Sequence, residues 1–459
     1  MPVRVRRVVA VIAAVIAAGS FAATEPATAA VGQRCPRAGA VRTVAGVRYE
    51  CRRRGRSLAW TRATVRTGRA ATTAYAPPSV AGGPVDACRL PDRSAERLRF
   101  GNLHAGFPPL THNLGLGGSF TVALIPVDFS DLPGEPQPLR RVADQMRLFT
   151  DWWAMVSGGA ARFDWRVHDG WVRIPGRSTD YAIARSGADD TRIADAALAA
   201  ADPVFDFSGV SVVYFMLPAG QKILGESVQG FRHTRYRFDT AEGPIENYAL
   251  PGAFFDAPNR TYWSYWAHET GHMFPMPDLY LQSEQWGLSR SSPVPGGPFS
   301  GFDLMSNQDG PSRTLSTWLR FLQGWLRDEQ VWCAPEGPLA ARVVLVPVDS
   351  SLPGTKAAML PIGETTMVVV ESRRPNPRFD CDSPNRSGAI VYLVDSTLGT
   401  GEGQLQLVAP SGRGLVFPTS CATPQQLDAV MVPGDTVVAG GVTVRVEASG
   451  TYDVVTITR

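Results

Sequence analysis

The sequence has little lysine and no long apolar run beyond its N-terminal segment. Lysine occurs only twice, at Lys222 and Lys356, so nearly all positive charge is arginine. No later run reaches the roughly 18 apolar residues of a membrane-spanning helix, which excludes such a span from the mature chain. Internal repeats and a nucleotide-binding glycine loop are also missing, which excludes repeat architectures and that class of nucleotide-binding enzyme.

The composition is that of a folded globular protein. The 459 residues are 44% hydrophobic and 19% charged, which suits two or three domains with full cores. The formal net charge of +3 is unevenly distributed, because residues 30–85 carry eleven arginines and one glutamate, a net +10. Residues 86–459 are left with a net −9. A basic N-terminal part therefore precedes an acidic body.

The first residues have the layout of a secretory signal peptide. Arg4, Arg6 and Arg7 precede an apolar run from about residue 8 to 23, and small residues follow at 27–29. We expect residues 1–29 to be removed and the protein to be secreted, and a retained N-terminal anchor is the alternative. Six cysteines agree with an oxidising destination, and although six allow 15 connectivities, we expect the pairs Cys35–Cys51, Cys88–Cys333 and Cys381–Cys421.

Residues 30–62 form a predicted basic module that depends on its disulfide, because it is too small for a core of its own. Three interpretations of its charge remain open: binding of an anionic cell-envelope polymer, docking on the acidic body as a pro-segment, or a solvated surface without a partner. Residues 63–85 are rich in Ala, Thr, Gly and Pro, which is typical of a linker.

Two further regions differ in pattern and together predict an α+β fold. In residues 86–332 strands alternate with helices, which predicts a mixed sheet covered on one side; the expected elements are strands at 120–129, 163–167 and 210–217 and helices at 142–156 and 191–201. Residues 333–459 contain only short strands and turns, which predicts a β-sandwich or a β-rich extension; the expected strands are 343–348, 367–371, 389–394, 442–446 and 454–458.

One short motif contains residues of the types that form a catalytic metal site. His268 and His272 are four residues apart, so on a helix both imidazoles share one face and can bind a single zinc ion. Glu269 is placed to reach a water on that ion as general base. Asp278 follows after the helix ends and can supply the third ligand, which leaves a fourth position open for water. A chance match is the alternative, but an aromatic run leads into the motif and prolines end the helix after it.

The motif resembles that of the immune inhibitor A family of secreted M6 metallopeptidases, which are similar to metzincins. The stretch His-Glu-Thr-Gly-His-Met-Phe-Pro-Met-Pro-Asp-Leu-Tyr at 268–280 carries the resemblance, and Phe-Asp-Leu-Met-Ser at 302–306 is similar to the family's Met-turn. The resemblance implies a metzincin-like peptidase domain, one catalytic zinc, and Met305 as an apolar floor beneath it. Tyr280 would orient Asp278 or stabilise an oxyanion, or be structural.

The chain departs from the family at Pro275, where the family has glycine. Proline fixes φ and pushes Phe274 out of helical geometry, so the turn is built differently and Glu284 is the alternative third ligand. Cys88-Arg-Leu-Pro-Asp also resembles a cysteine switch, in which a free thiolate caps the zinc; the even cysteine count favours a disulfide instead.

The sequence thus predicts a zinc endopeptidase acting on proteins or peptides, with no nucleic-acid partner. The alternative is a secreted binding protein on the same scaffold, silenced by Pro275. A calcium requirement cannot be derived from these residues.

Overall fold

A computed structural model describes residues 34–35, 41–44, 47–54, 57–62, 74–94, 103–111, 113–181, 191–224, 228–252, 261–281, 299, 301–310, 312–380, 387–413 and 429–459. The chain divides into two units, Met1–Ala71 and Thr72–Arg459. The predicted signal peptide and the predicted Cys381–Cys421 pair lie outside the described residues. Within those residues, no helix combines the length and apolar character needed to cross a membrane.

The unit Met1–Ala71 contains a three-stranded antiparallel sheet, formed in order by β1 (Val41–Val44), β2 (Val47–Arg54) and β3 (Ser57–Arg62). Cys35 and Cys51 form a disulfide, which confirms that pairing. The bridge and Trp60 are buried together and form the small core. So small an apolar cluster is typical of a unit stabilised mainly by its disulfide.

The unit Thr72–Arg459 begins with a central sheet and its helices. The elements are β4 (Gly118–Asp128), α1 (Ala143–Val156), β5 (Ala161–Val167), β6 (Val172–Arg173), α2 (Thr191–Ala201), β7 (Val210–Met216), β8 (Val228–Gly230), β9 (Phe238–Thr240), β10 (Gly243–Ile245), β11 (Tyr248–Leu250), α3 (Tyr262–Met273) and α4 (Thr317–Leu322). Short 3-10 turns lie at Val85–Cys88, Pro138–Arg141, Ser178–Tyr181, Arg232–Thr234 and Asp328–Gln330.

The central sheet has the order β5-β4-β7-β11-β8, and β6 pairs with the end of β4. Neighbouring strands are parallel except β8, which runs antiparallel to β11 at one edge. β9 and β10 form a separate hairpin. The mixed sheet is therefore as predicted, with one antiparallel strand beside the segment that leads into α3.

The prediction that this sheet is covered on one side is wrong. Val122 and Leu124 of β4 join the core that contains α1 and α3, whereas Ala123 and Ile125 join a second core that contains α2. Both faces are buried because β4 is a continuous apolar run rather than an alternating one, which is the pattern of a strand covered on both sides.

The remaining strands build two further sheets. They are β12 (Val331–Cys333), β13 (Ala340–Leu345), β14 (Ala357–Pro361), β15 (Thr366–Arg373), β16 (Gly388–Asp395), β17 (Leu405–Leu407), β18 (Thr436–Ala439), β19 (Val442–Ser449) and β20 (Asp453–Thr458). One sheet has the order β12-β14-β15-β16-β17 and the other β13-β20-β19-β18. Val368 and Val370 of the first are buried with Val444 and Val455 of the second in one core.

The five-stranded sheet also packs against the helices. Val369 and Tyr392 lie in the same core as Trp318 of α4 and Trp263 of α3. No break in the core marks the predicted boundary at 332/333 in the described residues, and the domain limits stay a prediction. In the later part of the predicted linker, Tyr75 packs on Tyr452, and Ser79 donates its backbone N–H to the Arg342 oxygen.

The second predicted disulfide pairing is also confirmed. Cys88 and Cys333 are bonded, which joins the start of the body to β12 across 245 residues of sequence. Because Cys88 is committed to this bridge, it is not a free thiolate of the cysteine-switch kind.

Candidate metal centre

Helix α3 is held by aromatic packing, and this fixes the orientation of its polar face. The Trp266 ring stacks on Tyr214 of β7 at 5.2 Å, and the Tyr214 hydroxyl donates to the Trp266 carbonyl oxygen over 2.8 Å. Every residue of the helix is buried. The i, i+4 spacing puts His268 and His272 on one face, with ring centroids 4.9 Å apart.

The structure brings Asp278 to these two histidines. Its Oδ1 lies 3.2 Å from Nε2 of His268 and 3.3 Å from Nε2 of His272. All three side chains are at least nine-tenths buried. Among the described residues this is the one group of three or more His, Cys, Asp or Glu side chains whose ligand atoms converge.

Backbone carbonyl groups fix the tautomer of both imidazoles. Nδ1 of His268 lies 3.0 Å from the Leu304 oxygen, and Nδ1 of His272 lies 2.8 Å from the Met276 oxygen. A carbonyl oxygen can only accept, so each Nδ1 carries a proton and each Nε2 is left to face Asp278 Oδ1. Either a proton on an Nε2 atom or a metal ion between the three atoms can offset the charge of the buried carboxylate.

The pKa values of His272 and Asp278 are shifted by the interaction between these side chains. Burial disfavours the charged form of His272, but the neighbouring Asp278 outweighs it and raises the pKa of His272 to about 9. Burial also opposes the charge of Asp278, yet the two histidines hold the pKa of that carboxyl far below its usual range. The buried carboxylate of Asp278 thus favours positive charge beside it, on a histidine or on a bound cation.

Glu269 is buried beside this cluster. Its exposed fraction is 5%, and within the described part of the chain its Oε2 has no hydrogen-bond partner. Burial raises the pKa of Glu269, against the opposing effect of the two histidines. A buried carboxylate oxygen without a donor is costly unless a ligand, water or ion occupies the space next to it.

The turn after α3 accommodates Pro275. The helix ends at Met273, and the next residue, Phe274, has a φ of −87° and a ψ of 34° that are not helical, as the proline predicts. Met276 then donates its backbone N–H to the Gly271 oxygen over 2.9 Å. The same Met276 supplies the carbonyl that accepts from His272. Neither bond needs an N–H at position 275, so proline is compatible with the turn. Glu284, the alternative ligand, lies outside the described residues.

Met305 and Tyr280 contact residues of this region. Met305 is fully buried against Gly271 of α3, and its carbonyl accepts from the Leu279 N–H over 3.1 Å. The Tyr280 ring is stacked on His268, with centroids 6.2 Å apart and planes 20° apart. The Tyr280 ring therefore contacts one of the two histidines, and Met305 packs on α3 at Gly271, between them in sequence.

Some residues that contact the site could not be predicted from the local sequence pattern. Phe231, directly after β8, places its ring edge-to-face against His272 at 5.8 Å. Thr400 lies 122 residues from Asp278 and accepts its backbone N–H over 2.8 Å. The carbonyl groups of Leu304 and Met276, which accept from His268 and His272, belong to the backbone, so residue identity does not reveal these contacts. The Met-turn resemblance was the only signal that pointed to the Leu304 segment.

The donor set fits a zinc ion. Two imidazole nitrogens and a carboxylate oxygen are common zinc ligands, and zinc bonds of about 2.0 Å at tetrahedral angles set ligand atoms about 3.3 Å apart. The observed 3.2 and 3.3 Å between the histidine nitrogens and Asp278 Oδ1 match that separation. The unpartnered Glu269 oxygen next to them leaves an acceptor for a water molecule.

Comparison with known proteins adds little. No protein-family model matches this chain. No curated protein matches it either. Among solved structures, the crystal structure of wild-type OgpA from Akkermansia muciniphila is similar with a TM-score of 0.30 and 12% identity, covering 74% of this chain and 93% of that one. Such a TM-score does not establish a shared fold, so the family resemblance and the metzincin-like fold stay predictions.

Proposed function

We propose that this protein is a secreted zinc-dependent endopeptidase with a metzincin-like catalytic region. The observation that carries the proposal is the convergence of His268, His272 and Asp278 on one point, with both Nδ1 atoms bonded to carbonyl groups. Neutral, oriented imidazoles are what a zinc site requires. A closed structural site would use four protein ligands, whereas three leave a position for water.

Glu269 is the proposed general base and acid. A zinc ion held by the three ligands would lower the pKa of a water molecule and polarise the scissile carbonyl group. Glu269 accepts a proton from that water at Oε2 and delivers it to the leaving amine nitrogen. Its burial supports the role of base, because burial raises the pKa of this carboxyl group and a higher pKa makes its carboxylate a stronger proton acceptor.

The edge strand β8 is the proposed binding site for the peptide backbone. It pairs with β11 on one side, and in the described residues its other side is the open edge of the sheet. Phe231 follows β8 directly and contacts His272, so this edge leads to the metal centre. An extended peptide can add to such an edge through main-chain hydrogen bonds, which accept many sequences.

Export is proposed on the signal-like N-terminus together with the disulfides Cys35–Cys51 and Cys88–Cys333. Such bridges persist in oxidising compartments. The basic residues 30–62 are proposed to attract an anionic polymer of the cell envelope, an attraction that salt should weaken.

Digestion of casein or a mixed-peptide pool, combined with metal analysis, tests the proposal. We expect one zinc per chain, cleavage that a chelator abolishes, and recovery on adding zinc. Glu269→Ala should retain zinc and lose at least about 10²-fold in activity, whereas Glu336→Gln, at an exposed carboxylate, should match the wild type. A chain that binds zinc but cleaves nothing would support the silent binding protein instead.

A further inference from the structure

The backbone of Asp278 is held by a loop from the β-rich region. The loop is residues 396–404, between β16 and β17. Thr400 Oγ1 accepts the Asp278 N–H over 2.8 Å, and Gly401 donates its N–H to the Asp278 oxygen over 3.0 Å. Leu281 and Glu402 extend the contact as an antiparallel bridge. Two consecutive loop residues therefore satisfy both backbone groups of Asp278.

The loop is itself fixed on both sides. Within it, Gly399 donates its N–H to Glu402 Oε2 over 2.8 Å. From the N-terminal side, Ser396 Oγ donates to the Pro91 oxygen over 2.8 Å, and Gly399 forms a bridge with His104. Thr400 is 5% exposed, so its hydroxyl group lies in the interior. The hydroxyl is consequently a rigid acceptor and not a mobile surface group.

This support matters because Asp278 lies on neither a helix nor a strand. Its side chain is short, so the position of Oδ1 follows the position of the backbone closely. His268 and His272 are aligned by the helical ladder, but Asp278 receives its own backbone hydrogen bonds from 396–404. Groups that orient metal ligands typically change metal affinity by about 10–100-fold when they are removed.

We propose that Thr400 is a positioning residue for Asp278, and that the loop 396–404 thereby sets the metal affinity of the site. The inference rests on the proposed zinc centre. It links the β-rich region to that centre through a named pair of hydrogen bonds, and it requires no contact between Thr400 and metal or substrate.

Zinc affinity of the full chain, measured by competition with a chromophoric chelator, tests this without any activity assay. Thr400→Val keeps the shape but removes the acceptor, and it should raise the zinc Kd by about 10-fold or more. Thr400→Ser keeps the acceptor and should stay within about 3-fold of the wild type. Thr355→Val removes another buried threonine hydroxyl, one that contacts Tyr75, and should leave the zinc Kd unchanged.

Unfolding of the chelated proteins shows whether a variant still folds. If Thr400→Val does not fold, Glu402→Ala replaces it, because it loosens the same loop at Gly399 and should raise the zinc Kd by several-fold. If Thr400→Val binds zinc with wild-type affinity, the inference is wrong, although the zinc centre itself is still supported. The same holds for Glu402→Ala when it is the variant used. A wild-type chain that binds no zinc overturns the proposed function, and this inference with it.

Discussion

Gly271 and Met305 are in such close contact that a Cβ atom on Gly271 would lie 2.3 Å from the Met305 sulfur. Gly271 lies between the two histidines on α3, and Met305 follows Leu304, whose carbonyl accepts from His268. The thioether therefore fills the space that a larger residue at 271 would need. The helix and the Met305 segment are matched in shape at this point.

Gly271→Ala should destabilise the protein by about 1–3 kcal/mol, the range for overpacking a core, although alanine is the better helix former. Combining it with Met305→Ala should cost less than the sum of the two single changes, because the shortened side chain makes room for the methyl group. Chemical denaturation measures all three. Gly450→Ala, where a Cβ would meet nothing, is the control and should be near neutral. Additive costs would show that the contact is not tight.

Pro275→Gly should leave zinc binding intact and lower stability by no more than about 1 kcal/mol, through the added freedom of the unfolded chain. The turn depends on the Met276 N–H and carbonyl, neither of which the change removes. Zinc content and denaturation give the two readouts. Pro353→Gly, in an exposed loop, is the matched control. Loss of zinc in Pro275→Gly alone would mean that the proline itself shapes the ligand turn.

Tyr280→Phe should keep the zinc Kd within about 3-fold, and Tyr280→Ala should raise it by about 10-fold, because the ring and not the hydroxyl stacks on His268. Chelator competition measures both. A large fall in kcat for Tyr280→Phe at unchanged zinc affinity would instead assign the hydroxyl to the reaction.

Replacing both Cys88 and Cys333 by serine should cost about 2–5 kcal/mol of unfolding free energy, since the bridge closes a long loop between the start of the body and β12. Denaturation with and without a reducing agent checks this. Reduction should lower the wild-type midpoint by more than it lowers that of the double variant. Equal midpoints for the oxidised wild type and the variant would exclude a stabilising role.

The lowered pKa of Lys356 predicts that the stability of the protein depends on pH. Burial and the neighbouring Arg320 lower the pKa of Lys356 to about 8, against an ordinary value of 10.5. Between these values the unfolded chain binds the proton and the folded chain does not, so this group's contribution to stability rises with pH from about 8 to 10.5. Lys356→Met removes that rise. Parallel stability curves for the two proteins across this window would contradict the assignment.

Much of the fold could be predicted because local patterns determine it. The helix Thr191–Ala201 has the predicted bounds, since apolar spacing and a following proline define it. Two disulfide pairs were confirmed. The prediction of a one-sided sheet is wrong because β4 is a continuous apolar strand, which buries side chains on both faces of the sheet.

Only those residues of the site that lie close together in the sequence could be predicted. A single motif contains His268, Glu269 and His272, and Asp278 follows soon after it. Thr400 could not be found in this way, because its contact with Asp278 depends on how distant β-strands pack. The carbonyl groups that orient the histidines leave no trace in residue identity, since every residue has one.

Anomalous diffraction at the zinc absorption edge, from crystals of the full chain grown with zinc, tests the central claim most directly. We expect one peak within bonding distance of His268 Nε2, His272 Nε2 and an Asp278 carboxylate oxygen. A chain whose only zinc lies elsewhere, or whose Asp278 points away from the two imidazoles, would contradict it.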